Sequence, residues 1–152
     1  MAGGWDWFDG DVDERTRRMA ENAFRQAERL TEIIREALAD RTAFELELGT
    51  ICELNALATE GTTEEPGVVR TADNEIVGSW HEPPPWQEVP ALFAEMLAYV
   101  KAADDSIHAA AYALWRLNWI HPFGEGNGRT ARAIAYLLIS VGRERITLLT
   151  LV

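Results

Sequence analysis

Apolar residues recur near every 3.6 positions from Asp13 to about Ala39, at Met19, Ala23, Ala27, Leu30, Ile34 and Leu38. That spacing predicts an amphipathic helix. Charges interleave on the opposite face, as in Arg25 and Arg29 with Glu28 and Glu32, the pattern of a packed helix with a solvated side. Thr42 to about Thr59 predicts a second helix, broken at Gly61, and Gly61-Thr-Thr-Glu-Glu-Pro-Gly67 reads as a loop. Val68-Val69-Arg70 and Ile76-Val77 then flank Thr71-Ala-Asp-Asn-Glu75, which predicts a β-hairpin with its turn at Asp73-Asn74. Helices are expected over 88–102, 104–120 and 129–141, the last ending near Gly142. The pattern describes a mainly α, single-domain chain with a small β-hairpin flap.

Composition narrows the setting. The chain has 152 residues, 47% of them hydrophobic, enough for one domain with its own core. The six tryptophans are assigned to that core. A single cysteine, Cys52, excludes an internal disulfide framework and points to a reducing compartment. The N-terminus lacks the basic flank and apolar run of a signal peptide, and no stretch is long enough to span a bilayer. A cytoplasmic protein with no membrane partner is the expectation. The net charge of −11 argues against nucleic acid as a partner. That charge is uneven: residues 101–152 hold 6 basic and 4 acidic groups, the only net-positive third.

The positive third contains His121-Pro-Phe-Gly-Glu-Gly-Asn-Gly-Arg-Thr-Ala-Arg132. Gly124, Gly126 and Gly128 allow positive φ and close backbone approach, and successive N–H groups there can form an anion nest. The helix expected to follow has unpartnered N–H groups at its start, which favour phosphate. Arg129 and Arg132 lie three apart on one face and suit phosphate oxygens. Two arginines at a helix start oppose its dipole, which argues for an anion there. His121, placed before Pro122, is a candidate general base. Glu125 can offer oxygen to Mg²⁺, which is usually held by one or two carboxylates plus phosphates. Asn127 adds an amide donor for a phosphate oxygen, and Phe123 reads as a core anchor. A P-loop is excluded because Lys101 is the only lysine. Gly126-Asn-Gly128-Arg-Thr-Ala131 matches a dinucleotide fingerprint formally, but a helix-like stretch precedes it where a strand is required.

The same run resembles the signature of Fic-domain proteins, His-x-Phe-x-[Asp/Glu]-Gly-Asn-Gly-Arg-x-x-Arg, at every specified position. The resemblance extends back to about residue 50, through Gly78-Ser-Trp-His-Glu-Pro-Pro-Pro85 and Val89 to Leu97. It implies a helical Fic fold, with residues 1–49 as an N-terminal helical segment packed on a 50–152 core. A flap at about 67–80 and a signature loop at 121–132 would belong to that core. It further implies Mg²⁺-dependent transfer of AMP from ATP to a Tyr, Thr or Ser hydroxyl of a target protein. His121, Asn127 and Arg129 would be catalytic. Gly126, Asn127, Gly128, Arg129 and Arg132 would bind nucleotide, and Glu125 the metal. The target would dock on the flap near Val69–Val77, and a homo-oligomer is compatible with the chain. A sibling branch that phosphorylates substrates carries lysine where Gly128 stands. Many relatives also carry [Ser/Thr]-x-x-x-Glu-[Gly/Asn], whose Glu pairs with the second signature arginine. Glu60-Gly61 matches its end, with Ala56 in place of the hydroxyl residue, so Glu60 pairing with Arg132 is the implied inhibitory contact. Alternative readings are a catalytically silent nucleotide- or protein-binding module, or transfer or removal of another phosphate-containing group.

Overall fold

A computed structural model describes residues 13–40 and 44–142. Among these residues the fold is helical: α1 (Glu14–Ala39), α2 (Leu48–Thr59), α3 (Val89–Ala102), α4 (Ser106–Ile120) and α5 (Asn127–Gly142), with a 3₁₀ turn at Trp86–Glu88 leading into α3. Two helices start on side-chain caps, Asp13 accepting from Thr16 N–H and Asp105 from His108 N–H, each at 2.8 Å. Such caps satisfy N–H groups that have no partner within the helix. No helix among the described residues is long and apolar enough to cross a membrane.

Helix α5 is the central element, packed against α4, α2 and α1. Its small residues Ala131, Ala133 and Ala135 are buried, as are Ala109, Ala110 and Ala113 of α4. Short side chains let helix axes approach closely, and α4 with α5 makes the most extensive helix pair. Ile34, Ile51, Leu54, Met96, Leu117, Ile134 and Leu137 complete one continuous core.

Several expectations are corrected. The buried stripe of α1 begins with Asn22 and Gln26, not Met19 and Ala23; Ala23 is exposed. The reason is polar: Asn22 donates to Glu60 O at 2.8 Å and Gln26 to Leu54 O at 2.9 Å, tying α1 to the C-terminal half of α2. Helix α2 starts at Leu48 rather than Thr42. Phe44 and Leu46 face the core while Glu45 and Glu47 are exposed, a period of two that belongs to extended chain. Residues 41–43 lie outside the described set.

The expected hairpin does not form among the described residues. Val69 instead makes an isolated antiparallel bridge to Phe123, and Arg70 N–H donates to Pro122 O at 2.8 Å. The chain turns at Val77-Gly78, where Ser79 N–H reaches Ile76 O and Gly78 has φ 78°. The Arg70 N–H, which could have paired across a hairpin, is thus spent on the α4–α5 loop. The tryptophans also depart from expectation: Trp80, Trp86 and Trp115 are exposed and Trp119 is half-buried. Trp5 and Trp7 lie outside the described residues.

Ile34 is fully buried on α1 yet belongs to the common core. Ile34→Ala should lower unfolding stability by about 2–5 kcal/mol. Urea denaturation followed by helical circular dichroism should still show one transition, because α1 unfolds with the rest.

Candidate active site

The α4–α5 loop is built by local constraints that the sequence makes explicit. Helix α4 ends at His121, whose backbone is left-handed with φ 50° and ψ 57° while its N–H still reaches Leu117 O at 3.0 Å. A non-glycine residue in that region is strained, and such strain clusters at functional sites. Phe123 then drives its ring into the core, edge-on to Phe93 with centroids 6.4 Å apart. The Asn127 amide closes the loop. Its Oδ1 accepts from Phe123 N–H at 2.9 Å and its Nδ2 donates to Phe123 O at 2.8 Å, the residue being 4% exposed. This amide is therefore spent inside the loop rather than displayed at its surface.

Helix α5 begins at Asn127, two residues earlier than expected, so Gly128 lies in its first turn. Of the three loop glycines only Gly126 has positive φ, at 78°. A Cβ there would stand 2.4 Å from Thr59 Cγ2, so α2 presses directly on the loop. The Cβ position of Gly124 is open, and at Gly128 an added Cβ would lie 3.3 Å from an Arg132 guanidinium nitrogen. Arg132 therefore lies over the Gly128 face of the first turn, exposed.

Below the loop sits Asn55 of α2, 1% exposed. Its Nδ2 donates to Glu125 O at 2.9 Å and Thr130 Oγ1 at 3.1 Å, and its Oδ1 accepts from Gly67 N–H at 3.0 Å. One buried amide thus ties the signature loop, α5 and the 61–67 loop together. In the sequence nothing marks Asn55 beyond an amide on the apolar face of a helix.

The charged residues distribute unevenly. Arg129 donates to Ala58 O and pairs with Glu125 Oε1 at 3.2 Å. Arg15 of α1 pairs with the same oxygen at 2.9 Å. Glu60 does not reach Arg132: its carboxylate pairs with Arg25 of α1, half-exposed, so the expected inhibitory contact is corrected. The cause is the end of α2, which leaves Glu60 as its cap residue facing α1.

His121 is half-buried, with Nδ1 3.4 Å from Asn118 O. A proton on Nδ1 facing that carbonyl leaves Nε2 as the base. Burial pushes its pKa below the ordinary value; the Asn118 carbonyl opposes this, and the positive fields of Arg70 and His81 add to it. Arg70, another residue unassigned from sequence, is 7% exposed and donates from Nε to His121 O at 2.9 Å.

A model of the Fic/DOC family matches residues 45–139. The chain belongs to that family. The Fic fold is shared with a Fic family protein from Desulfovibrio desulfuricans, at TM-score 0.69 and 23% identity over 84% of this chain and 37% of that one. A Fic domain containing signaling protein from Bacteroides thetaiotaomicron gives TM-score 0.69 and 21% identity, covering 86% of this chain and 50% of that one. IbpAFic2, solved covalently tethered to Cdc42, gives 0.57 and 19%, again covering 86% and 50%. The chain spans half or less of the length of each of these solved proteins.

The Fic signature loop thus brings Glu125, Gly126, Asn127, Gly128 and Arg129 around the start of α5, with Arg132 over Gly128 and His121 at the loop's other end. Gly126→Ala combines a left-handed backbone with a clash and should destabilise by about 1–3 kcal/mol. Gly128→Ala meets only a flexible guanidinium and gains helix propensity, so its stability should stay within about 1 kcal/mol of wild type. Parallel urea titrations distinguish the two.

Proposed function

We propose that this chain moves AMP from ATP to a Tyr, Thr or Ser hydroxyl of a target protein, with magnesium. The observation that carries the reading is a half-buried imidazole with a lowered pKa at one end of a short loop whose other end is a helix start bearing two arginines. The base needs to be neutral to accept a proton, and phosphate needs the N–H groups and cations of a helix start.

In this reading the target hydroxyl oxygen attacks the α-phosphorus and its proton passes to His121 Nε2. The bond from α-phosphorus to the bridging oxygen breaks, and pyrophosphate leaves with the electron pair. Arg132 and the first-turn N–H groups of α5 hold phosphate oxygens. Arg129 holds Glu125 in place while donating to α2. Such catalysis is mostly positioning and charge stabilisation. The donor set suits magnesium arriving with the nucleotide. Glu125 offers one carboxylate, and no group of three metal-binding side chains occurs among the described residues. Held by Glu125 and phosphate oxygens, the ion would supply positive charge against the departing pyrophosphate.

The target-docking part rests on the segment beside the loop. Val77 and Trp80 are fully exposed there, at and just after the turn, and neighbouring exposed apolar side chains suit a protein partner. One observation favours a second reading, a silent nucleotide- or protein-binding module: Glu125 is already engaged by Arg15 and Arg129.

Incubation with α-labelled ATP and magnesium separates the two. Label should enter protein with the wild type and vanish with His121→Ala, while ATP binding by calorimetry persists. ATP bound without label in either protein would establish the silent module. The pH profile gives a further check. Because burial lowers the His121 pKa, its base form persists below the ordinary value of about 6.5. Transfer should therefore hold through neutral pH and fall only below about 6.5, as the ring protonates.

A further inference from the structure

The left-handed His121 is held from outside its own loop. Arg70 Nε donates to His121 O at 2.9 Å, and its Nη2 donates to Ile120 O and Pro84 O. Its third nitrogen reaches Ala72 O at 3.1 Å, and its own N–H reaches Pro122 O. Four residues on, Asn74 Nδ2 lies 3.1 Å from Phe123 O and 3.5 Å from His121 O. Every one of these groups belongs to the segment that also exposes Val77 and Trp80.

Asn74 is unusual in what it leaves undone. Its Oδ1 is buried without a partner, a condition that costs stability. The carbonyls it serves have other donors: Phe123 O accepts from Asn127 and His121 O from Arg70. Stability alone therefore gives little reason for an amide at this position. What Asn74 adds is a second point of attachment between the 69–86 segment and the two ends of the His121–Phe123 turn.

We propose that Arg70 and Asn74 are positioning residues that fix the left-handed His121, so that the target-docking segment and the base move as one unit. The inference rests on the adenylyl-transfer reading. It predicts that binding a target peptide along 71–80 is felt at the imidazole through two side chains rather than through the loop alone. Arg70 is the cation whose field reaches the ring, His81 is the other basic side chain beside it, and the Asn118 carbonyl is the acceptor facing it.

Asn74→Ala is the clean test, because it orphans neither carbonyl and removes a stranded oxygen. AMP release from α-labelled ATP, with water as acceptor, should lose about ten- to a hundredfold in kcat. KM for ATP should stay within about twofold, and the urea midpoint should be unchanged. Arg70→Gln removes a charge as well and should move the acid limb of the rate to higher pH. Nitrogen-15 spectra of the histidine rings, with His121 assigned by His121→Gln, should show a changed His121 environment in Asn74→Ala and a raised His121 pKa in Arg70→Gln. Those spectra need no turnover, so an inactive wild type would sink the transfer reading and leave this test intact. Unchanged His121 resonances in both variants would overturn the proposal. So would a fall in kcat unaccompanied by a change at His121.

Discussion

The two hydrogen bonds between the Asn127 amide and the Phe123 main chain are the constraint on which the site depends. They close the turn between α4 and α5 with both ends of one buried amide. A buried amide with either end unpaired would be costly, so the closed form is strongly favoured over any open one. Phe123 supplies the other half of the constraint by anchoring the turn to the core. The turn so closed runs from His121, whose backbone is left-handed, to Gly126, which passes directly over Thr59.

A second polar layer lies beneath, where α1 and α5 meet the last turn of α2. Gln26 donates to Leu54 O one turn earlier, and Asn22 and Arg129 donate to Glu60 O and Ala58 O at the helix end. Helix ends leave such carbonyls without internal partners. An arginine in the first turn of α5 opposes that helix's own dipole, but at the C-terminal end of α2 it meets the favourable pole. Packing α5 against α2 thereby resolves a conflict visible in either helix alone. Helix α1 is part of the same arrangement, since its inward-facing amides serve the site's support rather than only the core.

Much of this was legible beforehand. Helices α3, α4 and α5 lie within two residues of the spans their apolar period predicts, with a proline at the start of α3 and the Asp105 cap at the start of α4 agreeing with it. Phe123 as core anchor followed from its setting among glycines and polar residues. The misreadings share one cause: a local pattern was outbid by a distant partner. Asn22 and Gln26 turned inward because α2 ends beside them, and Val69 paired with Phe123 instead of with its own neighbours. Glu60 met Arg25 because it caps α2 where that helix packs against α1. Neither spacing nor composition marks Arg70 or Asn55, because each works by donating to remote main chain.

Helical class, the order of the helices and the identity of the signature loop follow from the chain's own periodicity and from one dense motif, because these are properties of neighbours in sequence. Which amides face inward, which arginine remains free to meet an anion and what holds His121 in its left-handed state were decided by the packed molecule. Hydrogen-bond partners fifty or more residues apart, such as Arg70 and His121 or Asn55 and Glu125, exist only once the helices have met. No local pattern encodes the distance between them.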